Sequence, residues 1–157
     1  LEDYATPSAN SVAAMNLLRL ELLTGDPAYG KKAGALLSFF SIGLERAPSA
    51  APGLLGALEF LYDTPLEIVI MKPSAGSDAG PFLKKLWKSY VPNRALAVLD
   101  EKNASKAAAL IPWTAERPAL EGKVTAYVCR KQACKLPTSD PEVFAKQLAE
   151  PSDHAVG

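Results

Sequence analysis

The sequence predicts an α/β fold: an N-terminal helical hairpin plus a third helix, followed by a small, mainly parallel three-stranded βαβαβ layer with a cysteine-containing hairpin and a C-terminal helix. Three features predict it. Apolar residues recur at helical spacing through residues 1–63, three β-type apolar runs follow at 67–71, 95–99 and 124–129, and helix-length segments separate those runs. Strands alternating with helices argue for a parallel sheet with right-handed crossovers. The period changes at Asp63-Thr64-Pro65. The expected organisation is therefore a helical segment over 1–63, a small α/β domain over 64–150 and a disordered tail over 151–157.

Pro7-Ser8-Ala9-Asn10-Ser11 is a helix start, because Ser and Asn side chains accept bonds from first-turn amides that lack a helical partner. The helix it opens carries Val12, Met15, Leu17, Leu18, Leu20, Leu22 and Leu23 nearly all round, which implies burial on more than one side. Thr24-Gly25-Asp26-Pro27 ends it and begins the next. The second helix places Tyr29, Ala33, Leu36, Leu37, Phe40 and Leu44 on one face. So short a connection predicts an antiparallel hairpin. After the Pro48 to Pro52 break, Leu54, Leu55, Leu58, Leu61 and Tyr62 form the stripe of a third helix.

The continuous run Ile68-Val69-Ile70-Met71 is expected of a strand covered on both faces. A loop rich in Gly, Ser and Pro leads to a helix with the stripe Phe82, Leu83, Leu86, Trp87 and Tyr90. A second buried strand (95–99), a short helix (107–111) and a third strand (124–129) come next. Thr138-Ser139-Asp140-Pro141-Glu142 reads as a helix cap with Pro in the first turn, and Val143, Phe144 and Leu148 pack that last helix down.

At 157 residues the chain can form one compact domain or two small units. Seventeen basic and seventeen acidic side chains balance, so no whole-chain field draws in nucleic acid or an anionic membrane surface. No apolar run approaches the roughly 20 residues that span a bilayer. The opening Leu1-Glu2-Asp3-Tyr4 is acidic, unlike a secretory leader, and the missing initiator Met is expected of a processed chain or a fragment. Two cysteines are too few for a secreted disulfide scaffold. A cytoplasmic protein with reduced thiols is therefore expected.

Both cysteines lie in Tyr127-Val128-Cys129-Arg130-Lys131-Gln132-Ala133-Cys134. If 130–133 form a four-residue hairpin loop, Cys129 and Cys134 face each other within disulfide reach. Arg130, Lys131 and Lys135 are adjacent cations that would favour thiolate. The pair is open to three readings: an inert or structural pair, a redox element, or a metal clip. The spacing is not Cys-x-x-Cys, which weakens the redox reading. His154 is the sole histidine, so four zinc ligands are not available and no metal is expected.

Other candidate chemistry is sparse. Gly76 and Gly80 follow the first strand and precede a helix, where α/β sheets bind phosphate, but the pattern is neither Gly-x-Gly-x-x-Gly nor a Walker motif, and Asp78 would repel an anion. Glu2, Asp3, Ser8, Asn10 and Ser11 cluster at the first helix entrance. Paired carboxylates there could serve acid–base chemistry, and capping by acids that complement the helix dipole is the competing reading. Trp87 and Trp113 could stack on a sugar or base, or simply pack.

One resemblance covers essentially the whole chain in order. Its motifs are Pro7-Ser8-Ala9-Asn10-Ser11-Val12-Ala13-Ala14-Met15-Asn16-Leu17-Leu18-Arg19-Leu20, Glu67-Ile68-Val69-Ile70, Tyr90-Val91-Pro92-Asn93, and Thr125-Ala126-Tyr127-Val128-Cys129 through Ala133-Cys134 and Pro137-Thr138. Together they resemble the C-terminal end of the thioredoxin-domain-containing proteins related to the spermatogenesis-associated thioredoxin-like protein. The resemblance implies an upstream thioredoxin-like domain and a helical toroid similar to six-hairpin glycosidases. Residues 1–47 would then be the last toroid hairpin, with Ser8 and Asn10 at the mouth of the central cleft as ligand-binding residues. Cys129 and Cys134 match the family's paired cysteines. No thioredoxin domain and only one toroid hairpin lie within the sequence.

Three functional readings follow. The chain is the C-terminal part of a carbohydrate- or thiol-related protein, without complete activity alone. Or it is an autonomous binding or scaffolding α/β module. Or Cys129 and Cys134 are a working redox element. The partners expected are the upstream toroid and thioredoxin-like domains, with self-association of the isolated piece. No cofactor, nucleic acid or membrane is expected, and no catalytic residue can be named.

Overall fold

The computed structural model describes residues 2–131 and 133–149. The expected tail and His154 lie outside the described residues. The chain divides into two compact units between Asp63 and Thr64.

Unit 1 is three helices. Helix α1 (Ala9–Thr24) starts where the Ser8 side chain accepts the Ser11 N–H at 3.2 Å. It stops at Gly25, which has a φ of 72° and donates its own N–H to the Glu21 carbonyl at 2.7 Å. That left-handed cap favours glycine over any residue with a Cβ. Asp26 then caps α2 (Pro27–Arg46) by accepting the Ala28 N–H at 2.9 Å. A 3-10 turn, Pro48–Ala50, leads into α3 (Pro52–Tyr62). Helix α1 packs against both α2 and α3, burying Ala14, Leu18, Ala33, Leu37, Leu54 and Phe60.

Burial of α1 on more than one side holds, since it packs against both α2 and α3, although Val12 and Leu20 stay exposed. The stripe expected for α3 is corrected. The buried stripe of α3 is Leu54, Ala57 and Phe60, three residues apart, whereas Leu61 and Tyr62 face outward.

Unit 2 is an α/β layer. Strand β1 (Leu66–Lys72), helix α4 (Gly80–Lys88) and strand β2 (Arg94–Asp100) form a parallel βαβ unit, with Leu66 opposite Arg94 and Lys72 opposite Asp100. A short helix α5 (Ala104–Leu110) and three 3-10 turns connect to β3 (Thr125–Arg130). Strand β4 (Ala133–Cys134) and helix α6 (Pro141–Ala149) complete the unit. The sheet order is β2-β1-β3-β4.

The α/β class and the order of helices and strands hold, but the sheet is mixed rather than mainly parallel. Strand β3 lies on the far side of β1 and runs antiparallel to it, with Met71 opposite Thr125 and Glu67 opposite Cys129. The chain re-enters the sheet at the end where β2 left it, with Thr125 beside Met71, which itself pairs with Leu99. β2 is an edge strand, with only Ala95 and Ala97 buried.

Both faces of β1 and β3 are covered. Leu66, Ile68, Ile70, Ala126 and Val128 lie under Phe82 and Leu86 of α4 and Phe144 and Leu148 of α6. The opposite face, Val69, Met71, Tyr127 and Cys129, packs against Leu99, Ala104, Trp113 and Ala119. Trp87 and Tyr90, placed in the α4 stripe by spacing, are exposed, and the Arg94 guanidinium sits 5.0 Å over the Trp87 ring.

Candidate functional site

The densest chemistry is at the hairpin end of the sheet. Arg130 pairs with Ala133, so the turn is two residues and not the four-residue loop expected. Lys131 adopts φ 45°, the left-handed geometry that two-residue hairpins need to follow strand twist. Cys129 stands directly opposite Cys134. The neighbouring Val128 carbonyl accepts the Lys135 N–H at 3.0 Å, so the cysteines occupy a non-hydrogen-bonded position, where opposed residues approach closest. Their Cα atoms are 4.0 Å apart and the sulfurs are joined in a disulfide. This corrects the expectation of reduced thiols, which rested on the cysteine count, and agrees with the disulfide reach read from the spacing. Cys129 is buried at 2 % exposure, while Cys134 is exposed.

A residue absent from the sequence reading completes this site. Arg117 Nη2 donates to Cys134 Sγ at 3.1 Å, and its guanidinium lies 5.5 Å over the Tyr127 ring. The loop that carries it is pinned at three points. Tyr127 donates its hydroxyl to the Pro118 carbonyl at 2.6 Å, the Ala119 N–H donates to Glu101 Oε1 at 3.0 Å, and the Leu120 N–H donates to Thr125 Oγ1 at 2.9 Å. Burial pushes the Tyr127 hydroxyl pKa up, with the Arg117 charge opposing. Seventeen residues separate Arg117 from Cys134, so no local spacing announces the contact.

The structure brings together most of the cluster around Ser8. Asp3 Oδ1 accepts the Ser8 N–H at 2.6 Å and the Ser11 hydroxyl at 2.8 Å, and Oδ2 accepts the Gly53 N–H at 2.7 Å. Glycine is required at 53: a Cβ there would meet Ser11 Cβ at 2.8 Å and Asp3 Oδ2 at 2.9 Å. These bonds, the Ser8 amide foremost, hold the Asp3 carboxyl down at about 2 against the opposing effect of burial. The site thus clasps the start of α1 to the start of α3. Asn10 sits half-buried in the first turn of α1, and Glu2 accepts a bond from Tyr4 at 2.6 Å instead of facing Asp3.

A carboxyl whose folded pKa is depressed stabilises fully above its ordinary value, and that stability is lost as pH falls through the folded value. The contribution of Asp3 should fade between about pH 4 and pH 2. Asp3→Asn is expected to lower the melting temperature at pH 6, with the difference from the unaltered chain shrinking over that window. A difference that stays constant from pH 6 to pH 2 would show that the charge plays no part.

Elsewhere the loop after β1, where α/β sheets can bind phosphate, is filled from within, since Asp78 Oδ1 accepts the Gly80 N–H at 2.7 Å at the entrance to α4. Among the described residues, no group of three metal-ligating side chains could hold an ion, and no helix is long and apolar enough to cross a membrane.

Unit 1 presents apolar surface. A groove of about 460 Å³ between α2 and α3 is lined by Leu37, Leu44, Leu55, Leu58, Leu61 and Tyr62. Phe39, Ile42 and Tyr62 are 81 %, 63 % and 81 % exposed on these two helices. A second groove, about 280 Å³, runs along α1 past Val12 and Met15.

The sequence has counterparts among known proteins. The chain is similar to spermatogenesis-associated protein 20. It is 37 % identical to the Homo sapiens protein over 147 residues. The Rattus norvegicus and Mus musculus proteins match at 36 % and 35 % over the same length. Each match covers 94 % of this chain and 19 % of the relative. The chain therefore spans about a fifth of the length of the curated relatives it matches, and these relatives fit the family that the sequence motifs resemble. No family model and no solved structure matches the sequence.

Proposed function

We propose that this chain is the C-terminal part of a longer protein of the spermatogenesis-associated protein 20 kind, and that its helical unit docks onto the rest of that polypeptide. In this reading α1 and α2 are one hairpin of a larger helical ring. The α/β unit follows as a separate, disulfide-clasped layer, and an upstream thioredoxin-like domain completes the protein. Ser8 and Asn10 lie at the ring's edge, and any catalytic centre needs residues from outside this chain.

The observation that carries the reading is the uncovered apolar surface of unit 1. Exposed apolar surface of this kind marks a site that a partner covers. The two grooves and the exposed Phe39, Ile42, Tyr62, Val12 and Leu20 belong to three helices whose other faces are already packed. The occupant proposed is the remainder of the same polypeptide, because the matched relatives are about five times as long as the aligned region.

The isolated chain should bind an environment-sensitive apolar dye in its native state and should self-associate in sedimentation velocity. A monodisperse monomer that leaves the dye dark would overturn the proposal.

A further inference from the structure

We propose that Cys129 and Cys134 form a dithiol–disulfide exchange site, in which Cys134 is the sulfur attacked from solvent and Arg117 stabilises its thiolate. This inference does not rest on the docking of unit 1.

Four observations converge on it. Of the two sulfurs only that of Cys134 belongs to an exposed residue, while Cys129 is enclosed in the sheet face with Val69, Met71 and Tyr127. Arg117 aims Nη2 at Cys134 Sγ from 3.1 Å. In the disulfide state that sulfur is neutral and a weak acceptor. Arg117 Nε is buried with no hydrogen-bond partner, and no carboxylate pairs with the guanidinium among the described residues. A cation held this way gains its full interaction only when the facing sulfur becomes negative, because charge-assisted bonds are about twice as strong as neutral ones. Stacking on the Tyr127 ring holds the guanidinium in place but satisfies none of its N–H groups.

Of the other charges at this end, two are already engaged, one sits in the turn and one faces the other cysteine. Lys135 Nζ donates to the Gln147 carbonyl at 2.9 Å, and Arg130 donates to the Thr64 carbonyl. Lys131 is in the turn. Glu67 of β1 is opposite Cys129. Burial and that neighbouring carboxyl both disfavour a thiolate at Cys129, which leaves Cys134 as the sulfur that carries the charge.

The chemistry balances with a dithiol as reductant. One donor thiolate attacks Cys134 Sγ. A donor–Cys134 mixed disulfide forms as the Cys129–Cys134 bond breaks, and Cys129 leaves with the electron pair and takes a proton. The second donor thiol, deprotonated, attacks the donor sulfur of the mixed disulfide. Cys134 then leaves as a thiolate beside Arg117. Two electrons pass to the protein, and the donor becomes a disulfide.

The test uses the whole 157-residue chain. In a Cys129→Ser background, the rate of Cys134 alkylation by iodoacetamide is compared at pH 7 and pH 10, with Arg117 unchanged, Arg117→Gln or Arg117→Lys. The pH 7 to pH 10 rate ratio is expected to fall about tenfold with Gln, the size of a one-unit change in thiolate stability, and to recover in large part with Lys. Equal ratios in all three would overturn the role of Arg117. A second measurement needs no cysteine substitution. The native chain is treated with glutathione, quenched with acid and mapped by mass spectrometry. An adduct on Cys134 is expected. An adduct on Cys129, or none until denaturant is added, would overturn the exchange site.

Discussion

Replacing Phe144 by alanine is expected to destabilise the α/β unit by about 3–5 kcal/mol. Phe144 is fully buried and its ring packs edge-on against Phe82 at 5.6 Å between centroids. It is the point where α6 meets both α4 and the face of β1 and β3. Truncation removes the transfer energy of the ring and leaves a cavity between two helices and a sheet, which close-packed surroundings refill only in part. Domains are stable by only about 5–15 kcal/mol in total, so the change is a large fraction of what the unit has. Urea unfolding followed by the tryptophan signal of Trp87 and Trp113, both in this unit, should show the midpoint move strongly downward. A loss below about 1 kcal/mol, the size typical of surface substitutions, would contradict the packing described for α6.

The second large effect concerns association rather than folding. The combined substitution of Phe39→Ser, Ile42→Ser and Tyr62→Ser should abolish dye binding and self-association of the isolated chain while leaving its helix content unchanged. All three side chains are exposed, so the core of unit 1 loses nothing. Each large apolar side chain removed from solvent is worth about 1.5–3 kcal/mol on full burial, and three of them outweigh what a weak dimer needs. If the triple variant still associates as the unaltered chain does, the sticky surface is not on α2 and α3.

Elements governed by neighbouring residues were legible in the sequence. Thr24-Gly25-Asp26-Pro27 carries a helix stop and a helix start in four residues, and the structure uses Gly25 and Asp26 as those caps. The Ser8 cap and the opposed cysteines followed from spacing in the same way. Relations set by long connections were not legible. The antiparallel entry of β3 depends on the end of the sheet to which the chain returns between Asp100 and Thr125, which strand patterns do not contain. The burial of Phe60 in place of Leu61 and Tyr62 depends on where α1 lies, and apolarity alone cannot rank three adjacent large residues. At the candidate sites, Asp3 reaches Gly53 across fifty residues and Arg117 reaches Cys134 across seventeen. Both contacts arise from how the units fold up, so the sequence named the cysteines and the Ser8 corner but not the groups that complete them.

The helical unit is proposed to be a surface that more of the same polypeptide covers. Amide hydrogen exchange over residues 34–62 tests this, measured once in the 157-residue chain and once in a longer protein that carries it. Slower exchange along the facing sides of α2 and α3 is expected in the longer protein. Identical exchange in the two would mean that nothing covers the groove, and the docking role would fall.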